Sequence, residues 1–472
     1  MYSEINMETM KQFIISVFTF LSVAGMLRAE ENLSSLIAEA EGGDAEAQLK
    51  LAMRYDKGDG VNQDHRKAFE WALKAAEKDN IMAMMYVATY YNTRTHNREA
   101  SIQWWKKAGE RGALTAQFIL AKLYSNGEAP DYEQAYKWYL KAAEQGFALA
   151  QLEVANYCCA GMGCKLDAKA GREWFMKAAL QTPEEALKIV SEGQENDLYK
   201  ASLKAQSVAR HALGMMFLNG IGGDKDEEQA LMWIKRSAED GHAPAQAAYA
   251  YMLMQGLCGL EIDQEQALKW AKLGAEQNNA DALLLMSNMY FAGIGGTPPD
   301  NDQGMMYLRR AAVCGSRPAQ HDLGVKYFMG DGVEKDMIEA LKWLELAANA
   351  GDVDAQYICG NFYYNDQATP ENCRRAYKWF EMAEKGGRLD ATRYLGIMHI
   401  RGDAPKSNYA EGIARLKKLA REGDAYSQYV LGIALADMGH EGKRSASDAE
   451  KLEGVEWVRK AVDNGCAEAV TP

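Results

Sequence analysis

Cys158, Cys159 and Cys164 stand within one seven-residue stretch, and thiols that close invite either a disulfide or a soft-metal site. A zinc site needs more ligands, and no His stands nearby to complete one. Cys159 and Cys164 flank what reads as an inter-helix loop and are the candidate disulfide, although spacing alone does not set the geometry. The seven His are scattered singly. The chain contains no H-E-x-x-H, no G-x-S-x-G, no G-x-x-x-x-G-K-[ST] and no S-x-x-K. Gly58-Asp-Gly60 and Gly330-Asp-Gly332 look like phosphate cradles only superficially, because no strand signal precedes them. These residues supply no catalytic, cofactor or metal site.

The elements around them explain why. Tyr327–Asp352 (YFMGDGVEKDMIEALKWLELAANAGD) repeats the phrase of Tyr55–Asn80 (YDKGDGVNQDHRKAFEWALKAAEKDN). Trp71, Trp104, Trp138 and Trp174 are spaced 33, 34 and 36 apart, and Trp233, Trp270, Trp343, Trp379 and Trp457 continue the register. Tyr307 and Arg415 fill the same slot where a Trp is missing. A fixed period of this size marks a repeat array. Each repeat starts on a small residue, as at Ala47, Ala319 or Ser427, with a second small residue five places on, from Ala52 through Gly324 to Gly432. An apolar residue four after the start and a Tyr eight after it lie on the same helix face. A first helix therefore runs from start to Tyr, glycines break it, and a second helix such as Lys67–Glu77 carries the Trp. Mid-helix Gly costs about 1 kcal/mol against Ala, so the small slot implies close approach of another helix. Cys158 takes the Tyr slot and Cys359 the apolar slot, so both read as buried small hydrophobes. Cys258, Cys314, Cys373 and Cys466 have no evident partner.

The expected fold is all-α, a right-handed α-solenoid of about eleven helix-turn-helix repeats whose stacked pairs share a continuous core. Repeats 1–4 with an N-terminal cap occupy 30–182, a helical insertion 183–208, repeats 5–11 residues 209–466, and a tail 467–472. The insertion opens with Thr182-Pro183-Glu184-Glu185, a capping box with Pro at N1. A helix to about Val190 and a second to about Lys204 are expected, forming either a boundary between two halves or a surface elaboration.

The phrase resembles the Sel1-like repeat, a relative of the tetratricopeptide repeat. Ala319, Leu323, Gly324, Tyr327, Gly330, Gly332, Val333, Asp336, Ala340, Trp343, Ala347, Ala348 and Gly351 match that pattern, and the resemblance extends over about 44–465. It implies an adaptor or scaffold that holds protein or peptide partners on a concave surface. It also implies a place in the bacterial envelope, or in the endoplasmic reticulum lumen for some eukaryotic relatives. The alternative is an envelope hydrolase, β-lactamase-like or peptidoglycan-active, a label some relatives carry. One cysteine-rich branch of the family has a Cys pair in nearly every repeat; this chain does not.

A net charge of −13 argues against nucleic acid as partner, since Lys and Arg supply that affinity. Phe13–Leu27 is a fifteen-residue run without charge, short for a membrane span and right for a signal-peptide core. With initiation at Met10, Lys11 provides the positive flank, and cleavage near Gly25 or Ala29 would export the chain to the periplasm or beyond. Membrane contact would come only through that segment, left uncleaved.

Two further expectations concern side chains. Trp343 reads as buried between helix pairs, so Trp343→Ala should cost about 3–5 kcal/mol. Trp105, outside the register, should tolerate Ala within about 1 kcal/mol. The slots one to three after each start, and those beside the small slot, vary along the chain: Arg210, His211, Gln320 to Asp322, Thr392, Arg393, Lys326 and Asn361. Of these, Lys326, Asn361 and Arg393 are the candidate partner-binding residues. Charge reversal at Lys326 and Arg393 should then weaken capture without moving the thermal midpoint.

Overall fold

A computed structural model describes residues 33–126, 129–182, 184–185, 197–296, 298–365, 369–436 and 447–469. The expected export segment and most of the insertion helix to Val190 fall outside them. Among the described residues no helix is long and apolar enough to cross a membrane, and no strand occurs.

The chain is an α-solenoid. A leading helix α1 (Leu33–Glu41) is followed by a first and a second helix for each of eleven repeats. Residues 1–263 form one compact unit and 264–472 another. The first holds α2 (Ala45–Lys57), α3 (His65–Glu77), α4 (Ile81–Thr93), α5 (Arg98–Glu110), α6 (Leu114–Ser125) and α7 (Tyr132–Glu144). It continues with α8 (Ala148–Ala160), α9 (Ala168–Leu180), α10 (Asp197–Asn219), α11 (Glu227–Glu239) and α12 (Ala243–Gln255). The second holds α13 (Gln264–Glu276), α14 (Ala280–Ala292), α15 (Asn301–Val313), α16 (Arg317–Met329), α17 (Met337–Asn349) and α18 (Val353–Asn365). Its remaining helices are α19 (Pro370–Lys385), α20 (Leu389–Arg401), α21 (Tyr409–Arg421), α22 (Ala425–Ala436) and α23 (Asp448–Asp463). The unit boundary falls between the two helices of one repeat, whereas the insertion lies inside the first unit.

The repeated phrase is architecture. Gly330 ends α16 at φ +78° and Gly332 turns again at φ +72°, a region that favours glycine. Asp336 then caps α17 by accepting from Ile338 and Glu339 N–H at 2.9 and 3.0 Å. Its own N–H donates to the Tyr327 carbonyl at 3.0 Å, closing the loop onto the first helix. Asp64 does the same to Tyr55 and Asp167 to the Cys158 carbonyl.

The small slot receives the residue that follows the Trp. A Cβ on Gly360 would stand 2.6 Å from the Phe380 ring, and one on Gly324 2.7 Å from Leu344 Cγ. Gly396 and Gly412 bring α20 and α21 closer still: a Cβ on Gly412 would meet the Gly396 carbonyl at 2.7 Å. The cost of mid-helix glycine is thus offset by contact area.

This packing corrects the tryptophan reading. A residue one place after the Trp is rotated about 100° toward the paired first helix, and that slot is the core. Ala72, Trp105, Tyr139, Ile234, Leu308, Leu344, Phe380 and Leu416 occupy it with at most 2% exposure. Trp138, Trp233 and Trp379 of the register are buried, but Trp71, Trp104, Trp174, Trp270, Trp343 and Trp457 are only half-buried. Trp138 reaches sideways to Gly109 of the preceding second helix, whose Cβ would lie 3.1 Å from its ring. Lys74, Lys107, Lys141 and Lys177 each lie over the Trp three residues before them, at 3.6–4.0 Å from the ring centre. Six of the nine register Trp are therefore partly exposed, and Trp105 is a core residue.

The insertion also differs from expectation. Thr182 and Glu185 form the reciprocal capping box, with bonds of 2.9 and 3.2 Å. No Gly or Pro interrupts Asp197 to Leu213, so the helix expected to stop at about Lys204 runs on into the first helix of repeat 5.

Candidate functional site: joints and an aromatic face

The slot directly after each repeat start does not vary freely. Gln48, Gln117, Gln151, Gln246, Gln320, Gln356 and Gln428 all occupy it. Each donates its side-chain amide to the carbonyl eight residues back, in the last turn of the preceding helix, at 2.8–3.3 Å. All seven are buried. Gln48 bonds Ala40 of α1, so the leading helix stands in for a second helix and caps the array. The dipeptide Ala-Gln at the repeat starts was the signal, visible in the sequence and read there as surface variation. Each of these carbonyls also accepts a backbone N–H, as Ala348 does from Gly351 at 3.0 Å, so loss of the amide removes one of its two hydrogen bonds. Gln356→Leu is expected to lower unfolding stability by about 1 kcal/mol, the net value of one hydrogen bond, whereas Lys378→Leu on an exposed face should stay within about 0.5 kcal/mol. Denaturant titration reads both, and equal losses would remove the joint from the account.

Arg210 fills the Gln slot after the insertion. It is 7% exposed, its Nε donates to the Ala179 carbonyl at 3.0 Å, and its guanidinium pairs with Asp240. That carbonyl is 31 residues back instead of eight, and the longer Arg keeps the joint. Arg210 and Gln320 are therefore structural. His211 lies beside His242 with ring centres 5.3 Å apart, and burial with the His211 charge pushes His242 down to about 4.

The three candidate partner residues fall in different settings. Lys326 pairs with Asp331 at 2.7 Å and lies over the Phe291 ring at 4.7 Å. Asn361 is half-buried, and its Oδ1 has no hydrogen-bond partner. Arg393 grips Asp424 through Nε at 3.1 Å and Nη2 at 2.9 Å, with Asp390 on its other side at 3.1 Å. The pairing joins α20 to the cap of α22, so Arg393 is a clasp between successive repeats. No contact brings the three together.

Around Arg393 the first helices of the second unit carry an aromatic and arginine face. Tyr394 stacks on Phe380 at 4.9 Å and meets Tyr357 and Tyr364 edge-on at 6.0 and 5.9 Å. Arg388 lies over the Tyr357 ring at 4.7 Å and Arg393 over Tyr426 at 5.3 Å. Tyr364 donates to Asp403 at 3.0 Å, and burial, with the Asp403 charge, pushes its phenol up to about 12. Phe380 fills the slot after Trp379, so the core itself positions this face. Tyr and Arg on a rigid, pre-packed support are the residue types that carry binding energy in protein interfaces. Sequence reasoning missed these tyrosines because they occupy different slots of successive repeats.

The expected disulfide pair is not brought together. Cys159 Sγ sits against Gly171 of α9, between the helices of its own repeat. Cys164 turns the other way and hydrogen-bonds the Tyr157 carbonyl at 3.5 Å. All eight cysteines are thiols. Among the described residues no group of three or more His, Cys, Asp and Glu is placed to hold a metal ion.

Paired helices of this period, jointed at each repeat and bearing no strand among the described residues, define a helical repeat scaffold. The Sel1 repeat matches eleven times, at 45–80, 81–112, 114–147, 148–183, 207–242, 243–279, 280–316, 317–352, 353–387, 389–424 and 425–466. The chain belongs to the Sel1 repeat family. It is similar to the solved structure of c5321, a protective antigen of uropathogenic Escherichia coli with an SLR fold. The two are 26% identical over 93% of this chain and 89% of that one, with a TM-score of 0.52. A Sel1 repeat protein from Oxalobacter formigenes is 26% identical over 57% of this chain and 96% of that one, with a TM-score of 0.46. Chitin synthase regulatory factor 3 of Schizosaccharomyces pombe is 27% identical over 265 residues, and the match spans half of this chain and 28% of that protein's length.

Proposed function

We propose that this protein is a cell-envelope scaffold that captures a protein or peptide partner on the first-helix face of its second unit. The observation that carries the reading is the run of Tyr357, Tyr364, Tyr394 and Tyr426 interleaved with Arg388 and Arg393 across three successive first helices. Anchors of these types, already held by core packing, lose little freedom when a partner arrives. Membership of a family of repeat scaffolds supports binding over catalysis. The similarity to a named regulatory factor supports the same reading. The signal-like Phe13–Leu27 run and the similarity to a protective antigen support export.

Photo-crosslinking tests this directly. A benzophenone amino acid replacing Tyr357 or Tyr426 should yield a discrete covalent adduct in the producing cell. The same group at Lys342 or Lys378, on exposed positions of second helices, should not. Adducts from the second-helix positions alone would put the partner elsewhere and end this reading. N-terminal sequencing of the mature protein should begin between about Met26 and Glu30; recovery of the uncut chain from the cytoplasm would overturn the export part.

A further inference from the structure

We propose that Cys158 and Cys164 form a disulfide by exchange with a small-molecule disulfide such as glutathione disulfide, leaving Cys159 as a thiol. The geometry rests on how the fourth repeat closes. Cys158 occupies the slot where other first helices carry Tyr, at the end of α8, and is 3% exposed. It faces Tyr136 of α7, whose hydroxyl lies 3.8 Å from its sulfur. The glycine loop then folds back on that side. The Met162 N–H donates to the Tyr157 carbonyl at 3.1 Å and the Asp167 N–H to the Cys158 carbonyl at 2.9 Å. Between these two anchors Cys164 is held against the same Tyr157 carbonyl at 3.5 Å, one residue from Cys158, and packs against the core cluster that contains Cys158. Gly163 fixes the approach: at φ +64° it packs against the Tyr132 backbone, where any Cβ would collide. Cys159, one residue round the helix, looks into the α8–α9 contact and away from this cluster.

The steps balance without any further reagent. Cys164 is the more accessible of the two, being half-buried where Cys158 is buried. Its thiolate attacks one sulfur of glutathione disulfide, forming a mixed disulfide and releasing one glutathione thiolate. The Cys158 thiolate then attacks the Cys164 sulfur, forming the internal bond and releasing the second glutathione. The two protein thiols lose two electrons and two protons, and both glutathiones leave as thiols. Burial, and next the Cys158 neighbour, push Cys164 up to about 11, so little thiolate exists at neutral pH and the exchange is slow there. The bond would pin the turn to the end of α8. This inference stands apart from the proposed partner and from export, because it concerns the purified chain alone.

One tryptic peptide, Ala142–Lys165, contains all three thiols, so mass spectrometry after alkylation counts them directly. The full-length chain is brought to equilibrium in glutathione buffers of increasing oxidised fraction, quenched, alkylated and digested. Under reducing conditions the peptide should take up three alkyl groups. Under oxidising conditions it should take up one, located at Cys159 by fragmentation. Cys159→Ser should take up none when oxidised, and Cys164→Ser should take up two. Three alkyl groups on the wild type at every poise overturns the inference. So does a label on Cys158 with Cys159 and Cys164 joined, or a glutathione adduct on Cys164 that Cys158 never displaces. Circular dichroism of each serine variant confirms that it is folded.

Discussion

Trp105→Ala is expected to lower unfolding stability by about 3–5 kcal/mol, the range for truncating a large buried aromatic. Trp343→Ala should cost about 1–2 kcal/mol, the ordinary range for a half-exposed contact. Trp105 is 1% exposed and, among the described residues, is the largest fully buried side chain. It packs where α4 and α5 approach most closely, next to the bond from Ser101 Oγ to the Ala88 carbonyl at 2.7 Å. Trp343 keeps part of its ring in water and donates its indole N–H to Glu339 at 3.1 Å. Its truncation leaves no closed cavity, whereas that of Trp105 leaves one the size of an indole. Urea titration followed by circular dichroism measures both. A larger loss at Trp343 would restore the register Trp as the core and overturn the slot assignment.

Arg393→Glu is expected to cost about 3 kcal/mol, because it replaces a mostly buried clasp with three carboxylates in one place. The Arg393 side chain is 16% exposed, and its two Asp partners remain behind when it is reversed. The thermal midpoint should therefore drop by several degrees. Lys326→Glu, whose partner Asp331 is 71% exposed, should move it by about a degree or less. Differential scanning calorimetry on the two variants checks the order. An unchanged midpoint for Arg393→Glu would return this residue to the role of a free, partner-seeking side chain.

The repeat number, the helix pairing and the small slot were legible in the sequence, because each follows from a period that recurs eleven times. The turn glycines were legible for the same reason, as was the recurring Asp336 position, though not its capping role. What spacing did not disclose was direction. Trp104 and Trp105 are adjacent, and only the angle at which α5 meets α4 decides which of them faces inward. Cys158 and Cys159 pose the same problem: a 100° step separates a thiol that faces Tyr136 from one that meets Gly171. Arg393 looked variable because no other repeat places Arg there, yet its partner Asp424 lies 31 residues away and becomes a neighbour only after stacking. The aromatic face was hidden because Tyr357, Tyr364, Tyr394 and Tyr426 obey no single register.

The glutamine joint has a consequence for how such a chain can change its length. At seven junctions the donor belongs to the incoming helix and the acceptor is a backbone carbonyl of the outgoing one. The acceptor residue is Ala or Gly in all seven, so the outgoing side asks only for a small residue at that place. A module bearing its own Gln can thus be spliced behind any other of these helices and find its connection ready. Four junctions lack Gln, at Met84, Arg210, Leu283 and Thr392, and the one at Arg210 depends on a particular neighbour, Asp240. Duplication or loss of a repeat should be tolerated at the first kind of seam and resisted at the second.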